Sequence, residues 1–398
     1  MNVAILGAGL GGLGTAIALK LKGLDVEVYE RHAGRSDIGA GIMCWPNASF
    51  ILSELGVLDE VAYLSGRPEQ MQRLTFQGDD LGSLDLVELN RQMGYPSFSS
   101  YRKDLMRVLE LRAIKLGVKI NYNHSVRKII PSQSRLSKIQ FVNGSAVQAD
   151  LVVGADGRMN SVARAFVNGD NTPIYQGFVN WIGTFRSERP LFDEMVIRDY
   201  WGTGERFGIV PLSPYKAYWA GAVAATEILG KNPVTYHAEL LSIFKEWPVP
   251  ILKIIMETQI DQINKVYVHD HNPINIWHKG NVLLVGDAAH APLPTSGQGA
   301  CQALEDGWHL ASLLKINGPN LEKTFQEYTK IRFSKTSEIT LAARQLASSL
   351  FNTDPAYCHQ RNIRSINTDY REVVNGMSKG WASGLPIGPF APHSDGPH

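Results

Sequence analysis

Val3-Ala4-Ile5-Leu6-Gly7-Ala8-Gly9-Leu10-Gly11-Gly12 stands almost at the start of the chain and decides how the rest is read. A short aliphatic run ends in glycines at 7, 9 and 12, and the residues from Leu13 to Lys22 carry helical spacing until Gly23 interrupts it. Val26-Glu27-Val28-Tyr29 reads as a second strand, which makes a strand-helix-strand unit, the opening of a parallel, doubly wound sheet. In that setting Gly7 permits the tight turn, Gly9 lets the backbone approach a pyrophosphate, and Gly12 lets helix and strand pack closely. The helix N-terminus favours the phosphate charge. Glu30 closes the second strand, where a carboxylate accepts hydrogen bonds from a ribose whose 2′-hydroxyl is unphosphorylated.

Outward from this unit, strands of the same sheet are expected at Lys119-Ile120-Asn121-Tyr122, Leu151-Val152-Val153 and Val282-Leu283-Leu284-Val285. Between Tyr175 and Ala224 the texture changes to closely spaced β-rich runs: Phe178 to Phe185, Met195 to Tyr200, Phe207 to Leu212 and Tyr218 to Val223. Turn residues separate them, the pattern of an antiparallel sheet. The expected fold class is therefore α/β, a Rossmann-type dinucleotide-binding domain interrupted by an antiparallel-sheet substrate domain. The first domain is expected over 1–75, 97–170 and 270–345, and the inserted one over 76–96 and 171–269. A C-terminal helical segment and irregular tail fill 346–398.

The chain has 398 residues, 44% hydrophobic and 19% charged, ordinary for a folded protein. A net charge of +1 offers no general field for nucleic acid or an acidic membrane. Three scattered cysteines, Cys44, Cys301 and Cys358, argue against a disulfide framework or a zinc site. The apolar start is too short for a signal segment and no stretch is long enough to span a membrane, so a cytoplasmic location is expected.

Two further motifs sit at strand ends. Gly154-Ala155-Asp156-Gly157-Arg158 follows Leu151-Val152-Val153, although Asp-Gly alone is an ordinary turn signal. Gly286-Asp287 follows Val285, at the C-terminal edge of the sheet where ligands of parallel sheets gather, and Asp287 suits a ribityl hydroxyl. The loop Ala291-Pro292-Leu293-Pro294-Thr295-Ser296-Gly297-Gln298-Gly299 then feeds a helix from about Ala300 to Lys315. Its exposed N–H groups and the helix N-terminus suit the anionic edge of a reduced flavin.

The dinucleotide fingerprint, the middle Asp-Gly motif and the late Gly-Asp motif, in this order, resemble the single-component FAD-dependent aromatic hydroxylases, the class of p-hydroxybenzoate hydroxylase. Gly39-Ala40-Gly41-Ile42 with Pro46-Asn47, and Tyr101-Arg102-Lys103-Asp104-Leu105, extend the resemblance. It implies non-covalent FAD, NADH or NADPH as a transient reductant, and molecular oxygen delivered to a small aromatic or heteroaromatic substrate through a flavin hydroperoxide. The cofactor set it implies is Gly7, Gly9, Leu10, Gly12, Glu30, Arg31, Gly41, Arg102, Val126, Asp156, Asp287, Pro294, Gly297, Gly299 and Ala300. By composition alone Arg102 is equally a solvated residue at a helix start. A monomer or homodimer is expected. A flavin dehydrogenase without oxygen insertion and a flavin-containing regulatory protein remain as alternatives.

Within the class, Tyr175-Gln176-Gly177-Phe178-Val179-Asn180-Trp181 and Val268-His269-Asp270 are similar to the urate hydroxylase branch. That resemblance implies Arg206 and Tyr218 as the residues set against the substrate. Taken singly, Arg206 is also a strand-edge charge and Tyr218 a packed aromatic. The branch carries an acidic residue after Pro294, where this chain has Thr295. His290 reads as a capping or packed histidine, and His269, Asp270 and His271 lack the spacing of a metal site, so no metal is expected. For Arg206 and Tyr218 to act together they must share one face of a hairpin, which is expected if Leu212 pairs with Tyr218 across a five-residue loop.

Overall fold

A computed structural model describes residues 1–35, 41–131 and 136–391. Gly39 and Ala40 of the expected flavin-flanking segment, and the tail from Pro392, lie outside these residues.

Asn2–Leu6 is aliphatic and buried on both faces, as a central parallel strand requires. It pairs in parallel with Asp25–Tyr29 on one side and Leu151–Gly154 on the other. Lys119–Asn121 and Val282–Leu284 extend the sheet in parallel, and the short His278–Lys279 closes it antiparallel, giving six strands. All five expected parallel strands are thus in one sheet. The helix Leu10–Leu21 packs against the late helix Gly299–Asn317. Gly14 and Gly307 make this close approach possible, since a Cβ on Gly14 would come within 2.7 Å of the Leu304 side chain and one on Gly307 within 2.7 Å of Thr15 backbone.

The second sheet has seven strands in the order Ile263–Asp270, Ile174–Arg186, Lys216–Ala224, Glu205–Ser213, Val196–Trp201, Gln70–Thr75 and Asp80–Asp85. It is antiparallel except where Val196–Trp201 runs parallel to Gln70–Thr75. Its first strand begins at Gln70, six residues ahead of the segment expected to open it at 76. One face buries Phe207, Ile209 and Trp219 under Leu240, Phe244, Ile251 and Ile254 of the two helices Tyr236–Phe244 and Val249–Glu257. Phe207 and Trp219 stack with ring centroids 5.4 Å apart. The other face looks toward the first domain.

The helix Leu321–Leu350 joins the two halves. At about 1.5 Å per residue its thirty residues reach about 45 Å. Its first half is buried against Gly299–Asn317, while Ala343 and Ala347 pack on Phe178, Val268 and Leu293. Pro355–Ile366 and Tyr370–Ala382 complete the C-terminal region. Among the described residues no helix is long and apolar enough to cross a membrane.

Candidate active site

The first glycines do what their positions require. Gly7 has φ +108°, and a Cβ there would fall 2.4 Å from the Ala155 carbonyl oxygen. A Cβ on Gly12 would fall 2.0 Å from the Gly7 carbonyl oxygen, so helix and turn touch through bare backbone. Gly9 differs: a Cβ there would meet nothing within 4 Å and would project into a cavity of about 440 Å³. Gly7, Gly9, Glu30, Arg31, Arg102, Val126 and Asp156 all line this cavity, so seven residues scattered along the chain converge on one space. The helix Leu10–Leu21 opens on it without a side-chain cap, leaving its first N–H groups available to an anion.

Glu30 is anchored by its own neighbours: Oε2 accepts from the Ala8 N–H at 2.8 Å and Oε1 from the His32 N–H at 3.0 Å. Each carboxylate oxygen keeps a second lone pair for a ligand hydroxyl. Asp156 is turned inward, accepting from the Ser161 hydroxyl at 2.5 Å and from the Ala163 N–H at 3.0 Å. Burial raises its carboxyl above the ordinary range, against the pull of those hydrogen bonds. Its carboxyl group therefore shapes the turn that lines the cavity. Arg102 opens the helix Arg102–Lys115 half-buried; burial lowers its guanidinium from the usual value and the charge of Asp287 opposes that.

Asp287 lies in the turn Gly286–Ala288 and pairs with Arg158 at 2.8 Å. The loop that follows is pinned from several sides. Trp45 Nε1 donates to the Gly297 carbonyl at 3.0 Å, Thr295 donates to the Ala343 carbonyl at 2.9 Å, and the Gln298 side chain accepts from Asn47 at 2.9 Å. Gly297 takes φ +63° as the loop turns into the helix Gly299–Asn317, whose N-terminus again has no side-chain cap. Pro294 and Gly297 are exposed at the crest, with Gly299 and Ala300 half-buried behind them.

Behind the loop lies a network the sequence reading missed. Arg332 is fully buried and donates to Asp306 at 2.7 Å and Glu305 at 2.6 Å, while Lys335 donates to Glu305 at 2.9 Å. Asn47 donates to Glu305 at 2.7 Å, and Asp306 accepts from the Gly286 N–H at 2.7 Å and contacts His290 Nε2 at 2.6 Å. Burial alone would raise the Asp306 carboxyl, yet His290 and Arg332 outweigh it and hold it below the ordinary range. The signal was present as charged residues at helix positions flanked by Ala303, Leu304, Leu310 and Ala311, where the pattern calls for apolar side chains. His290 is thus a packed histidine with a carboxylate partner.

Across from the loop stands the open face of the second sheet. Arg206 is opposite Ala222, Gly208 opposite Ala220 and Val210 opposite Tyr218, so Arg206 and Tyr218 share this face. The expected five-residue loop is corrected: Ser213 pairs with Lys216 around a two-residue turn, Pro214-Tyr215, and the register shifts by one residue at Leu212. A two-residue turn alone would set Arg206 and Tyr218 on opposite faces, and the bulge at Leu212 reverses the parity. Gly208, Ala220 and Ala222 form a floor of small residues between the two side chains. Tyr218 packs against Gly41, where a Cβ would fall 1.7 Å from its ring. Burial, followed by the nearby Cys44 and Cys301, pushes the Tyr218 hydroxyl well above its usual value, so it stays protonated.

Elsewhere, Asp270 is taken by Arg344 at 2.7 Å and by Gln176 at 2.7 Å. His269 and His271 contact the carbonyls of Tyr267 and Arg158.

A cavity lined by bare glycines, together with a pinned loop leading into an uncapped helix, coincides with a family match: residues 1–339 fit the model described as FAD binding domain. The chain belongs to this FAD-binding monooxygenase family. It is 30% identical to the aurachin C monooxygenase/isomerase of Stigmatella aurantiaca, over 93% of this chain and 95% of that one. It is 28% identical to an FAD-dependent urate hydroxylase of Mycolicibacterium vanbaalenii over the full length of both. Its structure superposes on that of Klebsiella pneumoniae HpxO complexed with FAD and uric acid with a TM-score of 0.89, at 27% identity, covering 96% of this chain and 97% of the other. This monooxygenase is accordingly an FAD-dependent enzyme of the aromatic and heteroaromatic ring hydroxylases.

Proposed function

We propose that the enzyme hydroxylates a small, flat heteroaromatic ring held between Arg206 and Tyr218, using NADH or NADPH as a transient reductant. The observation that carries this reading is the shared face: a cationic donor at one end, a protonated phenol at the other, and Gly208, Ala220 and Ala222 between them. The Arg206 and Tyr218 positions stand about 13 Å apart along the strands, a span that the two side chains as they stand and a substituted ring between them fill. Bound FAD supplies the activation of oxygen.

The protein's share is binding and exclusion of water. Glu30 accepts from the ribose, Gly9 and the N–H groups at Leu10 take the pyrophosphate, and Asp287 takes a ribityl hydroxyl. Gly299 and Ala300 offer backbone N–H groups to the anionic edge of the reduced ring. The Tyr218 hydroxyl donates to a substrate oxygen, and Arg206 fixes the other end, favouring electron-rich rings with oxo or hydroxyl substituents. The aliphatic floor keeps water from the reacting carbon.

The test is oxygen consumption by purified enzyme with NADH, across hydroxylated purines, pyridines and phenols, with peroxide measured in parallel. Oxygen uptake that rises with a substrate and appears as one oxygen atom in the product supports the reading. Turnover without oxygen and with another electron acceptor would overturn it. Arg206→Ala should weaken substrate binding by about 1.5–3 kcal/mol while FAD content stays unchanged.

A further inference from the structure

Arg206 does not extend freely from its strand. Asp199, on Val196–Trp201 and with a side chain only 3% exposed, accepts from Arg206 Nε at 2.6 Å and from Nη2 at 3.1 Å. Trp201 Nε1 donates to the same carboxylate at 2.9 Å. Held through Nε and Nη2, the guanidinium keeps its other edge, Nη1 with the remaining N–H of Nη2, as a planar two-donor fork. Among the described residues, no protein atom is in hydrogen-bond contact with Nη1.

The bracing continues outward. Arg73 lies 5.2 Å and Arg361 5.3 Å from the Trp201 ring, and Arg73 also lies 5.2 Å from the ring of Tyr370. Arg361, buried on the helix Pro355–Ile366, donates to the Gly202 carbonyl at 2.9 Å. Tyr370 is seated on Gly82, where a Cβ would come within 2.2 Å of its ring. The C-terminal helices thereby press on Trp201, Trp201 on Asp199, and Asp199 on Arg206. A free arginine on a strand samples many rotamers and loses that freedom on binding, whereas this one is already ordered.

We propose that Asp199, braced through Trp201 by the C-terminal helices, is the positioning residue that presents the Nη1–Nη2 edge of Arg206 to the substrate. That edge selects rings with two neighbouring acceptors, either an oxo group beside an unprotonated ring nitrogen or a ring carboxylate. This rests on Arg206 facing the substrate, as set out above.

The test measures Kd from flavin difference spectra of the FAD-loaded enzyme near neutral pH, with the urate monoanion as the oxo/ring-nitrogen probe and 6-hydroxynicotinate as the carboxylate probe. Asp199→Asn should raise Kd about tenfold, the size expected for a weakened charge-assisted pair, with FAD content and the unliganded flavin spectrum unchanged. Trp201→Phe keeps the ring between its arginines, removes only the donor to Asp199, and should raise Kd a few-fold. It also serves if the Asn variant does not fold. In an Arg206→Ala background, Asp199→Asn should add nothing. Arg206→Ala with unchanged Kd for the probe that binds would bring down the Arg206 reading itself. A weakened Arg206→Ala enzyme beside an Asp199→Asn enzyme of wild-type affinity, or one that only melts earlier, would overturn the positioning role alone. Failure of the wild type to bind either probe would overturn the two-acceptor class.

Discussion

Behind the loop 291–299, Arg332, Lys335, Glu305 and Asp306 are buried and matched charge for charge, while the sheet face opposite is paved with Gly208, Ala220 and Ala222 and, among the described residues, leaves one edge of Arg206 unclaimed. The network behind the loop, on the side proposed to hold the cofactor, is closed on itself; the face proposed to take the substrate is, among the described residues, held from behind. Buried ion networks tolerate little change because any unmatched member keeps the full cost of its desolvation. A small-residue floor under two polar side chains accepts changes locally. The contrast suits a family in which one cofactor serves many ring substrates, and it orders the consequences of substitution.

The largest effect should come from Arg332→Met. It leaves Glu305 and Asp306 buried without their shared cation, at a cost of about 3–5 kcal/mol. Because Asp306 also holds the Gly286 N–H and His290, and Glu305 holds Asn47, the variant should lose FAD as well as melt earlier. Thermal melting and flavin content after gel filtration measure both. A variant as stable as the wild type, with full flavin, would show the network to be a bystander and remove the contrast.

The same contrast explains what the sequence made legible. Gly7, Gly9, Gly12 and Glu30 were readable because a tight turn between a strand and a helix, with the backbone left bare toward a cavity, demands those residue types at fixed distances after the strand. The five parallel strands were readable from their short aliphatic and β-branched runs. The Arg206–Tyr218 pairing depended instead on a one-residue bulge at Leu212, and no local pattern announces a bulge; the shared face was expected, but through a longer loop. Arg332 escaped because Asp306 and Glu305 lie 26 and 27 residues away, and a lone charge in a helix looks like a solvated one until the fold brings its partner near; Asp199 escaped although Arg206 is only seven residues on, because the strand register that sets the two side by side is not written in the local pattern. At Thr295, where the resemblance to the urate hydroxylase branch implies an acidic residue, the position was legible but the direction of the side chain, toward Ala343, was not.

A smaller effect, on the cofactor side, separates burial from charge matching. His309, on the helix Gly299–Asn317 and 4% exposed, is pushed down to about 3, first by burial and then by the charge of Arg332. Its folded value lies below its unfolded value of 6.5, so the unfolded chain binds the proton first as the solution is acidified. The stability it contributes is therefore complete above about pH 6.5 and falls away toward pH 3. One pKa unit corresponds to about 1.4 kcal/mol, so about 2 kcal/mol should be lost between pH 6.5 and 5. In His309→Gln that part of the slope should vanish. Parallel pH–stability curves for the two proteins, from urea melts across this range, would mean that His309 is protonated in the folded enzyme and that the region is less tightly closed.

The smallest effect decides to which side of the contrast Thr295 belongs. Its hydroxyl donates to the Ala343 carbonyl at 2.9 Å, tying the loop to the long helix. Thr295→Val keeps the shape and removes that bond. Because the side chain is half-buried, the loss should fall at the low end of the range for a neutral hydrogen bond, about 0.5–1 kcal/mol. With the hydroxyl directed at the helix, substrate affinity and the ratio of oxygen to NADH consumed should not change. A valine variant that keeps its melting temperature but binds substrate several-fold more weakly would move Thr295 to the substrate side. The position would then be a second polar contact to the ring, and the loop would have to turn from the helix toward the sheet face when substrate binds.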